Sequence, residues 1–431
     1  MGGPQIPSPA DLPASLRIDA AARRVWLSPS DPGFFRDPYP AYAAIRAACP
    51  VFFWEDYGQW CFTGHGAVGA LFRDRRFGRE ITHVASRSAL GWPDHPDHVE
   101  PFYAFESNSM LEREPPVHTR LRALVNRAFV SRTVERLRPR VAALTHRLID
   151  AFSGDVIDLL PAFAEPIPVT IIAEMLGVPV QAAPQLLKWS HEMVAMYAFG
   201  RTRAVEDRAV AATLAFSSFM REHVAARRGK PGDDILTLLL AAEADGDRLS
   251  EDELVTTAIL LLNAGHEATV HAIGNGVAAI LRSALDPKHL FGSPERTNAT
   301  VEELLRLDPP LHMFSRYALE PMTVAGVDLK LGDRIGLLIG AANHDPTIYP
   351  NPERLDPDRA TVPHVAFGAG LHFCIGAPLA RLELQVALPI LFERLPTVKL
   401  AAPPVYDDRY HFHGLESLRL RIGAVHPVRS T

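Results

Sequence analysis

Long hydrophobic runs, a positive net charge and a cysteine framework are all missing from this chain of 431 residues. No apolar stretch approaches the roughly 18 residues that span a membrane, and Met1 to Arg24 contain no hydrophobic core of a signal peptide. The net charge of −6 excludes a general attraction to nucleic acid or to acidic membranes. The three cysteines, Cys49, Cys61 and Cys374, make no disulfide framework and favour a reducing compartment. We therefore expect a cytoplasmic protein without a nucleic-acid or membrane partner.

The composition, with 47% hydrophobic and 22% charged residues, is that of a globular protein. The length by itself favours two or three domains. However, no Gly/Ser-rich linker and no charge run separates residues 30 and 425. We therefore predict one large domain over residues 31–431, mainly α with a small β region, after an irregular leader at residues 1–30. We expect no attached flavin or ferredoxin module.

A glycine-rich loop holds Cys374 directly before a predicted helix, Ala377 to Arg394. Amides at a helix N-terminus favour thiolate over thiol, so we expect a lowered pKa and metal binding at this cysteine. Gly368, Gly370 and Gly376 leave room for a large, flat group beside the backbone. One cysteine suits neither a zinc cage nor an iron–sulfur cluster, but a haem iron needs only one protein ligand. A buried inert thiol or a hydrolase nucleophile is the alternative.

The pattern Phe-x-x-Gly-x-His-x-Cys-x-Gly from Phe367 to Gly376 resembles the haem-ligand loop of cytochromes P450, most of all that of soluble bacterial members. The resemblance extends over nearly the whole chain. It implies the mainly α cytochrome P450 fold with a small β region, and a haem b whose iron is bound by the thiolate of Cys374. It also implies haem contacts at Phe367, Gly368, Gly376 and Ala264, and propionate partners at His118, Arg122, Arg316 and His372.

Two of these residues, His118 and Arg122, are four positions apart on a predicted helix and therefore share one face. Such a pair alone is usually a solvated surface. The resemblance is what makes it a propionate site.

A capping box, Ser250 with Glu253 three residues later, opens a predicted helix that runs to about Arg282. Its apolar content predicts burial on most sides. It resembles the central helix of cytochromes P450, which crosses the distal haem face. Within it, Gly265 would allow a local opening, and Glu267 is either a proton-relay acid or a buried acid with a local partner. His266 is expected to pack in the core.

Relatives usually follow this acid with a threonine that assists proton delivery, whereas this chain has Ala268. Thr269 is rotated by roughly 100° around the helix and does not take the same place. Three options stay open. A substrate hydroxyl with ordered water replaces the alcohol, Thr269 reaches in through a distorted helix, or the enzyme couples poorly and uses peroxide better. We favour the first.

Asn263 lies one turn before the acid, where relatives usually have an apolar residue. It binds a substrate oxygen or nitrogen, or else a water or a neighbouring helix. We expect a mid-sized, largely apolar substrate with at least one polar group. Further candidate pocket residues are Leu260, Leu311, His312, Met313, Phe314 and Leu415.

A supporting network is predicted from Glu303 and Arg306, which have the spacing of a pair on one helix face. By resemblance, Arg354 interlocks with them, and the three brace the haem loop. Their role is structural support.

The resemblance implies a monooxygenase that inserts one oxygen atom from O2 into a small molecule. Electrons would come from a separate ferredoxin and an NAD(P)H-dependent ferredoxin reductase, docking near the cysteine loop at Arg120 and Arg127. The alternatives are a peroxide-driven enzyme of the same family and, with less support, a non-catalytic haem protein such as a gas sensor or carrier.

Overall fold

Helices dominate the fold, as the sequence predicts. The computed structural model describes residues 11–128, 134–197, 200–242, 247–360 and 362–428. Among these residues, no helix is both long and apolar enough to cross a membrane. The helices are α1 Pro32–Arg36, α2 Tyr39–Ala48, α3 His65–Leu71, α4 Glu100–Glu106, α5 Val117–Ala128, α6 Arg138–Asp150, α7 Pro166–Met175, α8 Ala183–Val194, α9 Arg203–Gly229, α10 Ile235–Ala241, α11 Glu251–Arg282, α12 Pro287–Leu290, α13 Pro294–Leu307, α14 Ile339–Asn343 and α15 Ala377–Arg394.

The small β region consists mainly of one seven-stranded sheet in the order β1-β2-β3-β4-β10-β7-β5. A three-stranded sheet, β11-β14-β6, and the pairs β12-β13 and β8-β9 lie beside it. The strands are β1 Arg17–Asp19, β2 Arg24–Trp26, β3 Val51–Trp54, β4 Gln59–Phe62, β5 Phe77–Gly78, β6 Val156–Asp158, β7 Met313–Ala318, β8 Met322–Val324, β9 Val327–Leu329, β10 Arg334–Leu338, β11 Lys399–Leu400, β12 Val405–Tyr406, β13 Leu415–Ser417 and β14 Arg419–Arg421.

The prediction of an irregular leader is wrong for residues 17–26. β1 and β2 pair with each other, and β2 continues into the main sheet by pairing with β3. Val25 is fully buried in the same cluster as Phe52 and Trp54, and this burial holds the segment in place. Residues 1–10 of the predicted leader lie outside the described residues, and the assignment of residues 31–431 to one domain stays a prediction.

The central helix α11 begins at the predicted capping box. Ser250 Oγ accepts from the Glu253 N–H at 3.2 Å, and Glu253 Oε2 accepts from the Ser250 N–H at 2.8 Å. The helix is buried along most of its length and contacts α7, α9 and α15. It is α-helical without interruption through Gly265, so the predicted local opening there is absent from this helix.

The supporting network forms around Glu303, but with a different third member. Arg306 donates from Nε and Nη2 to the two Glu303 carboxylate oxygens, both at 2.8 Å. The next donor is Arg359, whose Nε lies 3.1 Å from Glu303 Oε1. The side chain of Arg354 is exposed, and only its backbone carbonyl takes part, accepting from Arg306 at 3.3 Å. The prediction of Arg354 as the third member is therefore wrong.

This network also fixes the segment that leads into the cysteine loop. Arg306 Nη1 donates to the Asn343 carbonyl at 2.9 Å, and Asn343 Oδ1 accepts from the Val365 N–H at 2.9 Å. The buried charges are therefore linked through Asn343 to a residue close to Phe367, where the loop begins.

Candidate functional site

The cysteine loop is a tight backbone turn. The Cys374 N–H donates to the Phe367 carbonyl at 3.0 Å. Gly368 and Gly370 have φ angles of +67° and +71°, in the left-handed region that favours glycine. A Cβ at Gly370 would also overlap the backbone carbonyl of Phe72. The backbone conformation alone therefore requires glycine at positions 368 and 370. These are two of the three glycines whose presence we explained by a large, flat group beside the backbone.

The predicted lowering of the pKa of Cys374 is wrong for the polypeptide alone. Burial raises the pKa of this thiol, while hydrogen bonds from the backbone N–H groups of Gly376 and Ala377 and the charge of Arg122 act against that effect. Desolvation of the thiolate by the surrounding protein outweighs the effect of the helix terminus on the pKa. A bound metal ion would reverse this balance, since a coordinating thiol is deprotonated.

A cavity of about 1130 Å³ lies between the cysteine loop and α11. All three cysteines are among the described residues, and only Cys374 lines the cavity. Most of the site residues predicted from the sequence line this cavity. They are His118, Arg122, Leu260, Asn263, Ala264, Gly265, Glu267, Ala268, Thr269, Leu311, Met313, Phe314, Arg316, Phe367, Gly368, His372, Cys374 and Gly376.

Two predicted pocket residues do not line the cavity. His312 is fully buried, with its Nδ1 2.9 Å from the Tyr42 hydroxyl and its ring packed against Gly340. Leu415 lies in β13 and packs against Gly274 of α11. Phe412, which precedes this strand, reaches the cavity instead. The error at His312 comes from alternation, because neighbouring side chains of extended backbone point to opposite sides and Leu311 and Met313 take the cavity side.

Basic side chains collect at one end of the cavity. Arg122 Nη2 donates to the Phe373 carbonyl at 2.7 Å, and Arg316 Nη1 donates to the Ser315 carbonyl at 2.9 Å. His372 Nε2 lies 2.9 Å from Glu114 Oε1, and its ring centroid is 4.3 Å from that of His118. The charge of His372 is also close enough to interact with that of Arg316, and the charge of His118 with that of Arg122, so the four predicted propionate partners are neighbours.

These basic groups are costly to bury without an anion. Burial lowers the pKa of Arg316 to about 9 and the pKa of His118 to about 4. The buried His118 Nδ1 finds no hydrogen-bond partner within the described part of the chain. Arg79, which sequence reasoning missed, adds a further buried guanidinium at the same end and is ion-paired with Glu112. A group carrying two carboxylates fits this charge distribution.

Glu267 of α11 also lines the cavity. Its Oε1 lies 3.5 Å from Arg409 Nη1, and its Oε2 lies 3.5 Å from His191 Nε2. Glu267 is buried, whereas both neighbours are more than half exposed, at 56% and 52%. The carboxylate is thus placed between cavity and solvent.

The neighbouring Thr269 is already engaged with its own helix. Its hydroxyl donates to the Gly265 carbonyl at 3.2 Å. Such a bond within one helix satisfies the hydroxyl locally. Together with the unbroken helix, it disfavours the option in which Thr269 replaces the missing alcohol.

The chain resembles known proteins along most of its length. A sequence profile described as Cytochrome P450 matches residues 295–402. Cytochrome P450 107B1 of Saccharopolyspora erythraea is 41% identical over 322 residues, which cover 73% of this chain and 77% of that one. The vitamin D(3) 25-hydroxylase of Pseudonocardia autotrophica is 36% identical over 398 residues, covering 90% of this chain and 95% of its own. This chain is a cytochrome P450.

The fold of this P450 agrees with that assignment. P450BioI, solved in complex with an acyl carrier protein ligated to hexadec-9Z-enoic acid, superposes with a TM-score of 0.83 at 31% identity, covering 90% of this chain and 98% of its own. The family binds haem b through a cysteine thiolate, and its members are oxidoreductases of the monooxygenase class. When bound, the thiolate-ligated haem supplies activation of dioxygen. The cavity, the single lining cysteine and the buried basic groups fit that cofactor.

Sequence reasoning missed Arg79, His191, Arg359 and Arg409 as members or supports of the site. Each reaches its position through the tertiary fold. His191 lies on α8, and only the packing of this helix against α11 brings the side chain to Glu267. Arg359 follows an Asp-Pro-Asp run that could have been compared with Arg354 as a second candidate.

Proposed function

We propose that this P450 inserts one oxygen atom from O2 into a mid-sized, largely apolar small molecule, with electrons from a separate ferredoxin and its NAD(P)H-dependent reductase. One observation carries the proposal. The loop that holds Cys374 and the α11 residues Ala264, Gly265, Glu267, Ala268 and Thr269 line the same cavity, so a ligand held there lies beside the reactive centre. Apolar lining with a few convergent polar groups is the usual character of a small-molecule site.

Asn263 supplies a polar contact for that ligand. Its Nδ2 lies 3.8 Å from the Met193 sulfur, which is a weak acceptor. Its buried Oδ1 has no hydrogen-bond partner among residues 11–428 as far as they are described. A free acceptor at the cavity wall favours a substrate that donates a hydroxyl or amine proton. The similarity of this chain to a vitamin D(3) 25-hydroxylase supports a small-molecule substrate.

Replacing Asn263 by Leu tests the contact. A ligand with the donor group should bind about tenfold more weakly, because its donor loses a neutral hydrogen bond worth about 1–1.5 kcal/mol. The analogue without the donor should bind equally well or better. Affinity is read from the substrate-induced change in haem spin state. An equal loss for both ligands would show that Asn263 only shapes the cavity.

Proton delivery is proposed to run through Glu267. The exposed His191 and Arg409 flank a buried carboxylate that lines the cavity, so protons can pass from solvent to the carboxylate. Ala268 replaces the usual threonine, and Thr269 is bonded to its own helix. We therefore favour a substrate hydroxyl with ordered water as the last proton donor after Glu267. This option also requires a substrate with a polar group.

Electron transfer is proposed at the surface around the cysteine loop. Leu371 and Phe373 of this loop are partly exposed, at 36% and 40%, which favours contact with a protein partner. Arg120 is less available than predicted, because it is ion-paired with Glu253 and Asp247 of its own chain.

Turnover with isotopically labelled dioxygen tests the whole proposal. Purified protein with ferredoxin, reductase and NAD(P)H should place one labelled atom in the product. Hydrogen peroxide without the electron-transfer proteins should support less product. If peroxide is the better oxidant, the chain is a peroxygenase, which the missing alcohol at Ala268 would explain.

A further inference from the structure

Three potential metal ligands converge where α8 crosses α11. His191 Nε2 lies 3.5 Å from Glu267 Oε2, and His266 Nε2 lies 3.6 Å from the same oxygen. The three atoms all lie within 4.8 Å of one another. His266 and Glu267 are buried, and His191 closes the group from the solvent side.

The protonation of His266 makes this arrangement unusual. Its Nδ1 lies 3.0 Å from the Leu262 carbonyl, which can only accept, so Nδ1 carries the proton. In a neutral imidazole whose proton is on Nδ1, the other ring nitrogen, Nε2, presents a lone pair. That lone pair faces a carboxylate oxygen. In the described chain, neither His266 Nε2 nor Glu267 Oε2 has a hydrogen-bond partner. Two acceptors facing each other favour a cation between them.

We propose that His191, His266 and Glu267 form a binding site for a divalent transition metal, with Zn²⁺ as the best fit. Tetrahedral zinc with bonds of about 2.0–2.1 Å holds its ligand atoms about 3.3 Å apart. The two measured separations exceed this value by a few tenths of an ångström. The bond from His266 Nδ1 to a backbone carbonyl is the outer contact that orients zinc-bound histidines. A water molecule would complete the tetrahedron.

The surrounding charges permit a cation. Glu165 lies close enough to His191 and Glu267 to interact with both charges, and adds negative potential. Arg409 opposes the metal, but its Nη1 faces the other Glu267 oxygen at 3.5 Å. Its Nε also holds Asp407 at 2.7 Å. The exposed guanidinium of Arg409 can therefore remain paired with Asp407 when a metal ion binds Glu267 Oε2.

Metal at this site would inhibit the enzyme. It would engage the carboxylate assigned to proton delivery and would fasten α8 to α11 at the edge of the cavity. This consequence rests on the proposed function, whereas metal binding itself does not. Zn²⁺ should slow product formation without weakening substrate binding.

Direct binding of Zn²⁺ to the ferric holoprotein tests the site. By competition with a chromogenic chelator, the wild type should bind one Zn²⁺ per chain at micromolar concentration. His191→Ala should weaken binding by about tenfold or more, since it deletes one of three protein ligands. His191 is 52% exposed, so the fold should tolerate its replacement. The matched control is His289→Ala, which removes an exposed histidine on α12 and should leave binding unchanged.

Three results would overturn the site: no binding by the wild type, equal binding by His191→Ala, or a sulfur ligand in zinc X-ray absorption spectra. The spectra of the wild type need no variant and should show only nitrogen and oxygen neighbours. If Zn²⁺ binds as expected but turnover is unchanged, the site stands and the role of Glu267 in proton delivery is contradicted.

Discussion

Replacing Arg359 by Met tests the supporting network directly. Glu303 accepts from Arg306 twice, from Arg359 Nε at 3.1 Å and from the Asp356 N–H at 3.1 Å. The side chains of Glu303 and Arg359 are 7% and 9% exposed, so their charges are largely desolvated. Methionine keeps an unbranched apolar stem in place of the aliphatic part of arginine and removes its charge and its hydrogen bonds.

The expected cost is about 3 kcal/mol. Breaking a buried ion pair by removing one partner costs about 3–5 kcal/mol, and the lower end applies because Arg306 still compensates Glu303. Arg359 also donates from Nη2 to the carbonyls of Asn351 and Arg354 at 3.2 and 3.3 Å, and these bonds are lost as well. The matched variant Arg354→Met removes an exposed guanidinium and should stay within about 0.5 kcal/mol of the wild type.

Urea unfolding of the holoprotein, followed by tryptophan fluorescence and by the haem Soret band, measures both variants. Arg359→Met should lower the unfolding midpoint and release haem earlier, because the network leads through Asn343 to the cysteine loop. Equal losses for the two variants, or a larger loss for Arg354→Met, would refute the assignment of Arg359.

Two further changes test the pocket. Ala268→Thr should leave the amount of product per NAD(P)H unchanged with the native substrate, and a several-fold rise would contradict substrate-assisted proton delivery. Burial raises the pKa of Glu106 to about 8, so between the ordinary value of 4.5 and 8 the folded state keeps a proton that the unfolded state has released. Stability should therefore fall as the pH rises through this window, measured as melting temperature. Glu106→Gln should remove this dependence of stability on pH, whereas Glu222→Gln, at an exposed position on α9, should keep it. If the dependence survives in Glu106→Gln, another titratable group causes it.

Local signals were sufficient for much of the fold. Helix α15 covers the predicted range Ala377–Arg394, and α11 begins at its capping box because cap and apolar run are neighbours in the chain. The cysteine loop can also be predicted from the sequence, because Cys374 and the glycines of the loop lie within ten consecutive positions.

Non-local contacts decided what the sequence did not reveal. Strands β1 and β2 have three residues each, too few for a periodic pattern, and they exist because pairing with β3 buries Val25. Arg354 and Arg359 are close to each other in the chain, and only the path of the loop decides which side chain reaches Glu303. The pKa of Cys374 depends on burial, which sequence position does not give.

The most direct test is the spectrum of the reduced protein with carbon monoxide. Haem-loaded wild type should give the strongly red-shifted Soret band of thiolate ligation, and Cys49→Ala should keep it. Cys374→His should retain haem and lose that band. If well-folded, haem-loaded wild type never shows the band, or if Cys374→His still does, the ligation of iron by Cys374 is contradicted.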